Sequence, residues 1–129
     1  MNALATYIDE INQTLIDNPQ VIAVQFVRER ITEDTISIRV RATFSDQSTL
    51  HFTEYGEIDV AENLRIVTYS YQWMTADNTL LQRWDNAKHY PNLSGFHHHM
   101  HDGYEKNVLP GEPMSLTKVL DQIAARLSL

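Results

Sequence analysis

YSYQWMTADNTLLQRWDNAKHYPNLSGFHHHMH, residues 69–101, decides how the rest of this 129-residue chain is read. It holds both tryptophans, three of the six tyrosines and five of the six histidines. At period two its first half is a β-hairpin: Tyr69, Tyr71 and Trp73 share one face of a strand, and Ser70, Gln72 and Met74 share the other. Ala76-Asp77-Asn78-Thr79 is the turn, because Asp and Asn tolerate left-handed backbone and hydrogen-bond their own main chain. A two-residue turn sets Tyr71 opposite Trp84, a stabilising aromatic pair. On the reverse face it sets Gln72 opposite Arg83 and Ser70 opposite Asp85. The hairpin thus has an apolar face and a polar face, and the polar one runs into a segment rich in histidine.

Upstream, residues 3–17 predict a helix, since Leu4, Ile8, Ile11 and Leu15 repeat at helical spacing with Asp9, Glu10 and Gln13 outside. Asn18-Pro19 ends it, because the residue before proline is pushed out of helical backbone. Val21–Ile31 and Thr35–Phe44 read as strands joined by a Glu33-Asp34 turn. One face carries Val27, Ile31, Ile36, Ile38, Val40 and Phe44; the other carries Arg28, Arg30, Arg39 and Arg41. This register sets Arg28 against Arg39 and Arg30 against Ser37. Like charges across a strand pair are destabilising, so the arginines need an offset: nearby acids such as Glu54, or a bound anion. The arginine surface is either a solvated face or a docking patch for RNA phosphate or an acidic protein segment.

Asp46-Gln47-Ser48 turns the chain into a third strand, Thr49–Tyr55. Its register stays open, because two- and three-residue turns put Leu50 and Phe52 on opposite faces. Residues 56–63 form a polar connection, and Leu64–Thr75 and Thr79–Asp85 are the hairpin strands. From Asn86 to Glu112 no periodicity survives, which reads as a long loop of the kind that carries function. Ser115 caps a last helix with the stripe Leu116, Val119, Leu120, Ile123 and Leu127. The predicted fold is one α+β domain over residues 1–129: a five-stranded antiparallel meander flanked by an N-terminal and a C-terminal helix in two layers. The uncovered sheet face is expected to hold the polar constellation.

Composition narrows the function. With no cysteine there is no disulfide, no thiolate catalysis and no cysteine-ligated zinc, which fits a cytoplasmic setting. No leader and no apolar run long enough for a membrane span are read in the sequence, so a membrane partner is not expected. A net charge of −7 argues against indiscriminate nucleic-acid binding and leaves room for a local basic patch or a basic partner.

The motifs YSYQW, RWDNAKHYP and FHHHMHDG, with a helix introduced by EPMSL, resemble the TumE-like toxins of prokaryotic toxin–antitoxin pairs. The resemblance runs from about Thr43 to Leu129. The chain departs from the family's HHP at His89-Tyr90-Pro91, and His99 is an addition. The resemblance implies a toxin with an antitoxin protein as partner.

The chemistry is read from the residues themselves. Arg83, Asp85, His89, His97, His98 and His101 are the candidate catalytic set. Histidines supply acid and base, arginine steadies charge on phosphate, and Asp85 orients an imidazole, giving metal-independent RNA cleavage. Arg28, Arg30, Arg39, Arg41 and Asn86 are the candidate substrate or partner contacts. In the other reading the chain is a non-catalytic module for metal or partner, and His97, His99 and His101, alternating on an extended segment, hold Zn or Ni. Asp85, Asn86 and His89 would on the plainer view tie the loop through backbone hydrogen bonds. Tyr71, Trp73 and Trp84 are candidates for the core, for a subunit interface in a homodimer, or for base stacking.

Overall fold

The apolar repeat at the N-terminus folds as α1 (Ala3–Asp17) and buries Leu4, Ile11 and Leu15 against the sheet. The computed structural model describes residues 3–86, 98–103, 108–110 and 112–127. After α1 come β1 (Val21–Ile31), β2 (Thr35–Phe44), β3 (Thr49–Ile58), β4 (Leu64–Met74), β5 (Leu80–Asp85), β6 (His99–Asp102), β7 (Val108–Pro110) and α2 (Leu116–Leu127). The strands form one antiparallel meander in sequence order, with β1 and β7 at the edges. The α+β architecture is the predicted one, and the sheet is longer by two short strands. Those two come from the segment read as loop. His99–Asp102 has no strand periodicity or propensity to speak of, and it pairs because β5 offers it an open edge.

Both helices lie on one face. The core under them joins Leu4, Ile11 and Leu15 to Ile36, Ile38, Val40, Leu50, Phe52, Tyr71, Trp73 and Trp84, and to Leu116, Val119, Leu120 and Ile123 of α2. Ser115 caps α2, its hydroxyl accepting from the Lys118 amide at 3.3 Å. Arg126 in the last turn of α2 lies 5.1 Å over the Trp73 ring. The three candidate aromatics are therefore core residues: Tyr71, Trp73 and Trp84 are all buried, which removes them from base stacking.

Register follows from the turns. The first hairpin closes at Thr32–Thr35, so Arg28 faces Arg39 and Arg30 faces Ser37 as read. A bulge between Phe26 and Arg28 then sets Phe26, not Val27, against Val40; Val27 is 51% exposed and is not a core residue. The third strand is settled by a loop in which Gln47 takes positive φ, 73°, and the Phe44 amide donates to the Ser48 carbonyl. Leu50 and Phe52 both land on the core face, opposite Ala42 and Val40. In the last hairpin Thr75 pairs with Thr79 around Asn78 at φ 67°, one residue more than the two-residue turn predicted. A second bulge near Leu81 restores the expected pairs Tyr71–Trp84, Gln72–Arg83 and Ser70–Asp85.

Candidate functional site

Side chains directly opposite each other in a ladder share a face. The register therefore lays out what the helix-free face carries. One rung runs Arg41, His51, Gln72, Arg83, His101, and the next runs Arg28, Arg39, Thr53, Ser70, Asp85. Arg30 and Ser37 continue into Tyr55 and Thr68, and Glu57 pairs with Arg65. Six of the chain's ten Lys and Arg thus stand on this face, and among the described strand residues its acids are Glu57 and Asp85. A protein of net charge −7 has separated its charge, placing a basic surface on the side away from the helices.

Arg28, Arg30, Arg39 and Arg41 are all exposed, and among the described residues none of the four makes an ion pair. Glu54 was the acid expected beside them. It sits instead on the core face, cross-strand from Ile38 and Tyr69, 3% exposed. There the hydroxyls of Tyr7 and Tyr71 both donate to its carboxylate. Burial raises the Glu54 carboxyl above its ordinary value, the two phenols working against that rise.

At the β5–β6 end, strand pairing brings Arg83, Asp85 and His101 together. Asp85 is 3% exposed, and its Oδ2 lies 3.2 Å from Arg83 Nε and 3.5 Å from His101 Nε2. Arg83 keeps 30% of its side chain exposed while His101 keeps 5%. The carboxylate is thus the buried pivot, the imidazole lies against it, and the guanidinium leads out to the basic face.

The other candidates separate. Asn86 is fully engaged with β4: its Oδ1 accepts from the Tyr69 amide at 2.9 Å and its Nδ2 donates to the Val67 carbonyl at 2.9 Å. That is a strand clamp, the plainer of the two readings. His98 stacks on Tyr69, with ring centroids 5.9 Å apart, and its Nδ1 is 2.7 Å from the Tyr69 hydroxyl. The Met114 amide donates to the same hydroxyl at 3.2 Å, which ties the start of α2 to this point. Burial raises the Tyr69 phenol above its ordinary value. His89 and His97 lie outside the described residues; the backbone of His99 pairs with Asp85, and its side chain is likewise outside them. Among the described residues no group of three or more His, Cys, Asp or Glu is arranged to hold a metal.

Two residues on the basic face escaped the sequence reading. His51 stands between Arg41 and Gln72, and burial, then Arg41 and Arg39, hold its imidazole below the ordinary value, so it is neutral at pH 7. Tyr55 stands between Ser37 and Thr68. The signal was the period-two run Leu50, Phe52: with both in the core, His51, Thr53 and Tyr55 must join the arginines. The open register of the third strand hid it.

Among the described residues no helix is long and apolar enough to cross a membrane. A family model described as toxin TumE matches residues 11–127, most of the chain. No curated protein and no solved structure matches it significantly.

Proposed function

The chain belongs to the TumE toxin family, and on that premise we propose that it is the toxin of a toxin–antitoxin pair, acting in the cytoplasm on RNA as a metal-independent ribonuclease. The observation that carries the reading is Asp85 in contact with both Arg83 and His101 at the end of a basic sheet face. The antitoxin is the expected protein partner.

In this reading the 2′-hydroxyl attacks the adjacent phosphodiester. A base takes the hydroxyl proton, the P–O5′ bond breaks, and an acid returns a proton to the departing 5′ oxygen. His101 is one of these groups. Asp85, against Nε2, orients the imidazole and steadies the imidazolium. Arg83, the exposed member, meets the equatorial phosphate oxygens as negative charge builds there. The second proton transfer falls to His89 or His97, since His98 is held by the Tyr69 hydroxyl on the core face. Arg28, Arg30, Arg39 and Arg41 hold flanking phosphates.

The test is cleavage of a defined single-stranded RNA by purified protein in EDTA. Wild type is expected to cleave it and leave 2′,3′-cyclic ends, while Arg83→Ala and Asp85→Asn lose about a hundredfold or more of the rate. Cleavage that EDTA abolishes and zinc or nickel restores would replace this mechanism with a metal-dependent one. Intact RNA together with calorimetric zinc or nickel binding would favour the non-catalytic module built on the histidine-rich segment.

A further inference from the structure

Resting on RNA as the target, we propose that the basic face carries a nucleotide-binding pocket remote from Arg83, formed by Arg28, Ser37, Arg39, Thr53, Tyr55 and Thr68. These residues line a cavity of about 280 Å³. They come from four adjacent strands, and the register puts all six side chains on the open face. Ile38 and Glu54 also line the cavity; their side chains belong to the core face, where Glu54 is held by Tyr7 and Tyr71.

The lining matches the three parts of a nucleotide. Among the described strand residues Tyr55 is the one Phe, Tyr or Trp ring on this face, and aromatic rings on open sheets take bases by stacking. Arg28 and Arg39 face each other without a carboxylate partner among the described residues, a repulsion that a bound phosphate relieves. Ser37, Thr53 and Thr68 supply hydroxyls for the sugar. Arg39 and Thr53 also line a second polar cavity of about 200 Å³ with His51, Ser70 and Gln72, which leads along the same rungs toward Asp85. Arg39 and Asp85 sit on one rung three strand spacings apart, about 14 Å. A mononucleotide cannot bridge that distance. A single strand several nucleotides long can, with one nucleotide at Tyr55 and the reacting phosphate at Arg83. The ligand class is therefore a single-stranded oligonucleotide, with binding energy gathered away from the scissile bond.

The experiment is fluorescence anisotropy of the full-length protein with a labelled single-stranded hexadeoxynucleotide, which has no 2′-hydroxyl and so reports binding without cleavage. Wild type is expected to bind it far more tightly than the matching labelled dinucleotide or a hairpin duplex. Tyr55→Ala should weaken binding about tenfold or more and Tyr55→Phe should keep it, with circular dichroism checking that both are folded. Arg39→Ala should weaken binding and flatten its salt dependence. Wild-type binding by a folded Tyr55→Ala protein overturns the pocket, even if RNA cleavage is present. No binding of the hexamer by wild type overturns it as well. Length-dependent, Tyr55-dependent binding in a protein that does not cleave RNA supports the pocket and sinks the ribonuclease mechanism.

Discussion

Replacing Tyr71 with phenylalanine removes one oxygen from the core and tests how Glu54 is kept there. Tyr71 is 1% exposed, and its ring packs on Phe52 and Tyr69 with centroids 5.5 and 5.4 Å away, contacts that phenylalanine preserves. What is lost is the hydroxyl donated to the buried carboxylate of Glu54. Both phenols remain donors at any working pH, since burial and then the charge of Glu54 push Tyr7 and Tyr71 far above the ordinary phenol range. A hydrogen bond to a charged group contributes about 1.5–3 kcal/mol, and here no water can replace the donor. Tyr71→Phe should therefore cost about 1.5–3 kcal/mol near pH 7.5, or roughly 6–12 °C in Tm for a chain of this size.

The sign with pH follows from the direction of the shift. Burial raises the Glu54 carboxyl above its ordinary value of 4.5. Its contribution to stability is therefore fully present below the unfolded value and is lost as pH rises through the folded one. Removing a phenol that favours the charged form lifts the folded value further, so the cost of Tyr71→Phe grows with pH. Glu54→Gln should flatten this part of the pH dependence. Urea unfolding followed by tryptophan fluorescence at pH 4.5, 6 and 8 measures both effects. A Tyr71→Phe protein within about 0.5 kcal/mol of wild type at pH 8, or an unchanged pH slope in Glu54→Gln, would refute the reasoning.

Other substitutions probe the frame and the site. Gly56→Ala would put a Cβ 3.0 Å from the Arg65 carbonyl and 2.9 Å from Leu64 Cδ1, and should cost about 1–3 kcal/mol by urea unfolding. Asn86→Ala removes both side-chain hydrogen bonds to β4 and should cost about 1–2 kcal/mol, with faster amide exchange at Tyr69 as the local readout. Arg83→Lys keeps the charge and loses the planar fork, so it should fold like wild type and retain little of the RNA-cleaving rate.

Much of this architecture could be read from residue spacing. Both helices, the Arg28–Arg39 pair and the Tyr71–Trp84 pair follow from periodicity and turn chemistry, because an alternating strand allows one register that buries its apolar set. The failures are local and share a cause. Gln47 and Asn78 take left-handed backbone without glycine, and each three-residue loop changes the register count by one. In the last hairpin a bulge returns the count; in the third strand the loop itself decides which face His51 and Tyr55 join. Phe26 displaces Val27 from the core because a bulge within β1 likewise shifts the count by one. Glu54 looked like a partner for the arginines because acids seldom sit on an apolar face, and Tyr7, far off in sequence, is what permits it. The site was half visible: Arg83 and Asp85 follow from the hairpin, whereas His101 joins them through β6, a strand created by its neighbour's edge.

The most direct test of the central claim is bacterial growth under tightly induced expression. Wild type should be compared with Asp85→Asn and with His101→Ala, with soluble protein levels matched by immunoblot. Wild type is expected to arrest growth, and both variants, present at equal soluble level, are expected not to. Arrest by the two variants as strong as by wild type would show that the toxic site lies elsewhere on the chain.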